Sequence, residues 1–216
     1  MKISREGSAV YLALVAGYVN SAGLLLFGTF TSHVTGNIGQ IGFRVINGEL
    51  TLAAYAFLLV FSFFVGAVFA TLIARSSAFT QWTSAHCMVE SAEGVLLLAP
   101  LIFLHAPELQ ASLLALAMGM QNSLIKQISG ARIRTSHMTG IVTDLGIETA
   151  KCVVRSSNFQ PKALKLLVTL LLAFITGAFL GAFAARAFSF RAMIFPSLSL
   201  FILSGLTCFC GRVELD

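Results

Sequence analysis

One polar phrase occurs twice inside otherwise apolar sequence. Residues 31–42 read TSHVTGNIGQIG, and residues 135–146 read TSHMTGIVTDLG. The echo extends on either side. Gly17, Asn20 and Ser21 are answered by Gly119, Asn122 and Ser123, and the segment GAVFATLIAR from Gly66 by GAFLGAFAAR from Gly177. Glu93 and Gly94 fall opposite Ser204 and Gly205. A duplication therefore covers nearly all of a single domain of 216 residues, with repeat one over about 9–105 and repeat two over about 109–211. In membrane proteins, duplication is a known plan for a central binding site.

The membrane enters through composition. Hydrophobic residues fill 57% of the chain and charged residues 11%, whereas soluble domains carry about 25% charged residues. Apolar stretches of about 20 residues, enough to cross the hydrocarbon core as helices, lie near 9–30, 51–74, 85–104, 109–128, 164–185 and 192–210. Lipid offers no partner for backbone amides, so an all-α polytopic bundle of six spans is expected; the alternation of a membrane barrel is absent. Lys2 and Arg5 make the first stretch look like a signal peptide. The lack of a small-x-small site before a soluble chain, and the mid-chain position of its repeat partner, favour a retained span. Cys87, Cys152, Cys208 and Cys210 show neither metal-ligand nor disulfide-framework spacing and read as small buried apolar residues. No metal or other cofactor is expected.

Lys and Arg are unevenly placed. Lys126, Arg132, Arg134, Lys151, Arg155, Lys162 and Lys165 crowd one stretch, and with six spans Lys2, Arg5, Arg75 and Arg212 share its side. Arg44, Arg186 and Arg191 are left opposite. The positive-inside rule then puts both termini in the cytoplasm. The net charge of +5 fits juxtamembrane residues facing anionic lipid, and no nucleic-acid partner is expected. Three spans per copy is an odd number, so the second copy enters from the opposite side. Two three-helix repeats of inverted topology result, with polar helix breaks after spans one and four and a site near the midplane. Segments 33–47 and 137–155 carry Arg44, Asp144, Glu148, Lys151 and Arg155 and are too charged for full spans, with half-inserted segments as the alternative.

The repeated phrase supplies the candidate solute-binding residues. Gly36 and Gly140 permit a break or a close approach, and a broken helix exposes amides at its positive end. Histidine adds a donor or acceptor whose charge changes near neutral pH. In this reading His33, Thr35, Gly36 and Asn37 face His137, Thr139 and Gly140. The plainer reading makes each phrase a Ser/Thr helix cap at the membrane surface. Asn20 and Asn122 join the candidates; as polar groups in spans they also serve as interhelical hydrogen-bonding groups. Asp144 is close enough in sequence to Thr139 and Gly140 to line a vestibule, although with Glu148, Lys151 and Arg155 it also fits a solvated, salt-bridged helix. The glycines of the apolar stretches, among them Gly177-x-x-x-Gly181, read as packing notches.

One asymmetry stands out. His86, Glu90 and Glu93 share a helix face, while the matching positions are Ser197, Phe201 and Ser204. Ionisable groups within spans mark functional interior faces by default, and Glu90 and Glu93 suit proton coupling. The alternative leaves His86 and Glu90 at the interface and Glu93 bonded to a neighbouring helix.

The string AGYVNSAGLLLFGTFTSHVTGNIGQIG and its counterpart AMGMQNSLIKQISGARIRTSHMTGIVTDLG resemble the two signature regions of the YoaK-like family. That family comprises bacterial multi-pass inner-membrane proteins defined by a domain of unknown function. The resemblance implies an integral protein of the cytoplasmic membrane and supplies no substrate. Asn20 stands where the family often carries an Asp, so an ion-coupling role of that acid would be altered or lost here.

The residues favour a small secondary transporter, proton-coupled, for a polar or anionic solute whose identity the chain does not reveal. The alternative is a channel or a non-transporting sensory or assembly module. Enzyme chemistry is not expected: no Gly-x-Ser-x-Gly elbow, His-Glu-x-x-His pair or phosphate-cradling loop occurs. The expected partners are the lipid bilayer, a small polar solute and, given the chain's size, a second copy in a homodimer.

Overall fold

The computed structural model describes residues 5–76, 82–103, 105–128 and 137–210. Among the described residues there is no strand. The chain runs α1 (Arg5–Phe27), α2 (Val34–Ile46), α3 (Leu50–Arg75), α4 (Trp82–Leu97), α5 (Ala99–Ile102), α6 (Pro107–Ile128), α7 (Met138–Val153), α8 (Pro161–Phe188), a 3-10 turn (Ser189–Met193) and α9 (Ile194–Cys210). The expected spans match α1, α3, α4 with α5, α6, α8 and α9 to within a few residues. The first ends earlier than its apolar run, because Gly28 adopts φ 69° and stops α1 before the polar phrase begins. The two segments too charged to span are helices of 13 and 16 residues, short of the roughly 20 that a crossing needs.

By length and apolarity four stretches qualify as membrane spans: Glu6–Phe27, Leu50–Arg75, Ala85–Ile102 and Pro161–Phe209. The last holds 49 residues, about 70 Å if it were one straight helix. Ser189, at φ 54°, and the 3-10 turn fold it into α8 and α9. α6 falls outside the measure because it carries Glu108, Gln110, Gln121, Asn122, Lys126 and Gln127. Its middle is enclosed by protein: Leu114, Ala115, Ala117, Met118 and Gln121 are all fully buried. A helix walled in by other helices need not be apolar all round, and Gln121 donates from Nε2 to the Leu12 carbonyl of α1 at 2.7 Å.

α3 and α8 form the outer faces, where Phe57, Phe61, Phe64, Phe179 and Phe183 are exposed, as lipid-facing positions should be. Of the cysteines, Cys87 is buried, whereas Cys152 and Cys208 are exposed. The expectation of uniformly buried thiols fails at those two, since both lie on outward faces near helix ends.

The main seams are backbone-to-backbone. α1 packs along α8 and α3 along α6. A Cβ at Gly17 would meet the Phe174 carbonyl oxygen at 2.0 Å, and one at Gly177 the Leu14 oxygen at 1.9 Å. In the other pair, a Cβ at Gly119 would meet the Phe63 oxygen at 2.0 Å, and one at Gly66 the Leu116 oxygen at 2.0 Å. Between helices in lipid there is no hydrophobic driving force, so such close approach supplies the attraction through dispersion and weak Cα–H···O contacts. Gly181 lies against the Tyr18 oxygen as Gly177 lies against Leu14. Contact thus advances four residues along both helices in the same sense, and α1 and α8 run parallel. α4 and α9 run antiparallel: Ser197 Oγ donates to the Gly94 carbonyl at 2.7 Å, and Ser204 Oγ to that of Cys87 at 2.9 Å.

These seams predict the effect of single methyl groups. Gly17→Ala and Gly119→Ala should each lower stability by about 1–3 kcal/mol or more, because rigid backbone must shift. Gly205→Ala, with open space at its Cβ position, should be neutral or mildly stabilising. Thermal unfolding of the detergent-solubilised variants checks this ordering.

Candidate functional site

A cavity of about 700 Å³ lies where the two polar phrases approach each other. Its walls come from α1 (Asn20), the turn and start of α2 (Ser32, His33, Thr35), α3 (Phe63, Thr71), α6 (Asn122, Ser123, Lys126), the start of α7 (His137, Thr139) and α8 (Phe174). The cavity therefore sits between the α1–α8 pair and the α3–α6 pair. Its lining includes sequence-matched partners: Asn20 with Asn122, His33 with His137, Val34 with Met138, Thr35 with Thr139, and Phe63 with Phe174.

The two helix starts share one local geometry. His33 precedes α2 with φ −90° and ψ 71°, and His137 precedes α7 with φ −90° and ψ 61°. Neither histidine caps its helix through a side-chain hydrogen bond. A helix leaves its first amides without intrahelical partners, and Ser or Thr normally fills that place. Histidine therefore holds the cap position in both helices, and Thr135 and Ser136 of the second phrase lie outside the described residues. The glycine of each phrase makes room for the histidine. A Cβ on Gly36 would meet the His33 ring at 2.5 Å, and one on Gly140 the His137 ring at 2.5 Å, so each ring folds back over the first turn of its own helix.

Other candidates have positions of their own. Asn20 Oδ1 accepts from Ser32 Oγ at 3.0 Å and from Ser32 N at 3.3 Å, holding the phrase against α1. Asn122 Nδ2 donates to the Met118 carbonyl at 2.9 Å. Its neighbour Ser123 shares a hydrogen bond with Thr71 of α3 at 2.8 Å. Asn37 is buried and donates to the Phe30 carbonyl at 3.2 Å, where it braces the turn between α1 and α2. Gly36, Asn37, Gly140 and Asp144 are not among the lining residues, and Asp144 is exposed on α7.

Ser123 stands out in the sequence only as the neighbour of Asn122 in the repeat, and nothing there points to Lys126, Phe63 or Phe174 as cavity residues. Lys126 was grouped with the basic residues of one membrane side. Its spacing of four from Asn122 on one helix face was the available signal.

Glu90 and Glu93 lie apart from the cavity. Both are buried on α4, Glu93 completely. Neither Glu93 carboxylate oxygen has a hydrogen-bond partner, nor does Glu90 Oε2, among the described residues. His86 Nδ1 stands 4.0 Å from Glu90 Oε1. Tyr11 of α1 lies near both acids, and Asn20 of the same helix lines the cavity.

With that geometry in view, the chain can be set beside known proteins. Residues 8–206 match the family described as a protein of unknown function (DUF1275). The chain belongs to that family. The UPF0700 transmembrane protein YoaK of Bacillus subtilis (strain 168) is 29% identical over 140 residues. The aligned part takes in 62% of this chain and 62% of the relative, less than two thirds of the relative's length. No solved structure matches the chain. The YoaK-like resemblance of the repeated phrases is thus borne out. Together with the four apolar helices it makes this a membrane protein of a family whose description names no activity.

The α7–α8 junction offers a test outside the spans. Glu148 accepts from Lys151 Nζ at 2.6 Å and from the Gln160 backbone N–H at 3.2 Å. The Lys151 hydrogen bond, helped by Gln160, holds its carboxyl below the usual glutamate range. A depressed folded-state value stabilises above the ordinary glutamate pKa of about 4.3 and is lost as pH falls through the folded value. Thermal stability should therefore drop on acidification below about pH 5, and the drop should be smaller in Glu148→Gln, by melting curves across pH.

Proposed function

We propose that the protein is a small secondary transporter for a polar or anionic solute, built from two inverted three-span repeats with the cavity as its solute site. The observation that carries this reading is the lining of the cavity by matched residues from both copies of the duplication. A site astride a pseudo-two-fold axis is where inverted-repeat transporters bind their cargo.

The helix directions support six crossings. Parallel α1 and α8 must cross the membrane in the same sense, which makes α8 an odd-numbered crossing. With α1, α3 and α4 as the first three, α6 has to be the fourth for α8 to be the fifth. Antiparallel α4 and α9 then fit as the third and sixth. The glycine seams agree, since Gly17 on Phe174 and Gly119 on Phe63 are one contact made twice with the copies exchanged. In this reading both termini lie in the cytoplasm of a bacterial inner membrane, and the reaction is movement of solute and not catalysis.

Glu93 carries proton coupling. A fully buried carboxyl without a hydrogen-bond partner among the described residues is costly in a span and by default functional. Tyr11 and Asn20 share α1, so displacement of that helix reaches both acid and cavity. Uptake by proteoliposomes of a panel of labelled carboxylates, sugars and amino acids, with and without a pH gradient, tests the reading. Saturable uptake accelerated by the gradient is expected, with Asn122→Leu slowing it about 10-fold or more through a lost polar contact and Glu93→Gln abolishing the acceleration. Flux that never saturates would point to a channel. A Glu93→Gln protein that still responds to the gradient would remove the acid from the mechanism.

A further inference from the structure

The cavity's chemistry is narrower than that of a general polar site. Among the described residues, Lys126 is the one charged side chain in its lining, and no acid lines it. Lys126 forms no ion pair with any described carboxylate and is exposed to the space. Its counterpart in the first copy is Leu24, so the charge is single and breaks the symmetry. Around it stand hydrogen-bonding groups: Asn122 one turn away on the same helix, Ser123, and the histidines of the two phrases. Asn20, Ser32, Thr35, Thr71 and Thr139 add further polar groups, and the apolar part of the wall is formed by Phe30, Phe63 and Phe174 with Val34, Met138 and Ala67. Phe63 and Phe174 are fixed there by their own backbones, since their carbonyls press on Gly119 and Gly17.

A single cation beside aromatic walls favours a ligand of one negative charge, because a second charge set against those walls would be desolvated without a partner. Apolar aromatic walls favour a ligand with a hydrophobic body. A volume of about 700 Å³ lies within the range of sites that take organic molecules, roughly 300–1,000 Å³. A bare inorganic ion would leave most of it to water.

We propose that the solute is an organic monoanion with an apolar body, a carboxylate of the aliphatic or aromatic kind. Its carboxylate is held by Lys126 with help from Asn122 and Ser123, and its body lies against Phe63 and Phe174. This rests on the cavity being the solute site.

The test is binding to the full-length protein in nanodiscs, independent of any transport assay. Calorimetric titration uses benzoate and hexanoate, with benzyl alcohol as the neutral isostere and inorganic phosphate as the anion lacking a body. A Thr139→Cys variant in a background without the native cysteines reports occupancy of the cavity through slowed maleimide labelling. The carboxylates should bind and protect residue 139, while benzyl alcohol and phosphate bind at least about 10-fold more weakly. Lys126→Gln should weaken benzoate by about 10-fold or more, as expected for loss of a charged hydrogen-bond partner, and Lys126→Arg should restore it. Lys126 is exposed, so neither variant threatens the fold. Protection by benzyl alcohol or phosphate equal to that by benzoate overturns the proposal and leaves the cavity as the solute site. Benzoate binding unchanged in Lys126→Gln also overturns it. Calorimetric binding that never protects residue 139 overturns the site reading itself.

Discussion

Backbone touching backbone is the constraint on which the rest of this structure depends. In lipid, apolar side chains gain nothing by leaving one hydrocarbon neighbour for another, so helices hold together where they can come closest. Here Gly17 and Gly177 let α1 and α8 meet without an intervening side chain, and Gly119 and Gly66 do the same for α6 and α3. Each seam joins a helix of one sequence half to a helix of the other. The two halves are thus interlocked through their cross-paired helices. The residues whose carbonyls close the seams, Phe63 and Phe174, also wall the cavity, so the contact that assembles the bundle also shapes its interior.

The polar phrases exploit the space the seams leave. Each histidine takes the place where a hydroxyl would normally cap the helix, and each glycine clears the room for the ring to fold back. The first-turn amides are left without a side-chain cap and stand beside the cavity. At α2 the first of them, the Val34 N–H, donates to the Ser32 carbonyl at 3.2 Å. Lys126 adds positive charge, while the buried Glu93 sits outside the cavity on α4. The cavity and the acid are therefore separate in the fold, and α1 carries both Asn20 of the cavity and Tyr11 near the acids.

Much of this was legible in the sequence where a local rule governs. The helices followed from apolar length and the break after the first span from its polar phrase, while residues 129–136 lie outside the described residues. Six of the expected site residues (Asn20, His33, Thr35, Asn122, His137 and Thr139) line one cavity. What failed to show was decided by tertiary packing. The duplication pointed to paired sites but not to the exchange of partners that sets α1 on α8, because any helix with a glycine notch can serve several neighbours. Lys126 was hidden among basic residues that orient the protein, and only the turn of α6 from Asn122 separates it from them. Asn37 looked like Thr35 in sequence, yet it points back to the Phe30 carbonyl, since a buried amide must satisfy itself within its own turn. α6 shows the same limit from the other side, being polar enough to miss a hydropathy test because protein, not lipid, surrounds its middle.

The central claim is that the two phrases, entering from opposite faces, meet inside the bilayer. Pulsed electron-spin distance measurement between labels on Thr35→Cys and Thr139→Cys, in nanodiscs and in a background without the native cysteines, tests it most directly. The account predicts a distribution centred well below about 30 Å, the thickness of the hydrocarbon core. A distribution centred at about 40 Å or beyond, the full thickness of the bilayer with its headgroups, would put each phrase on its own surface and contradict it.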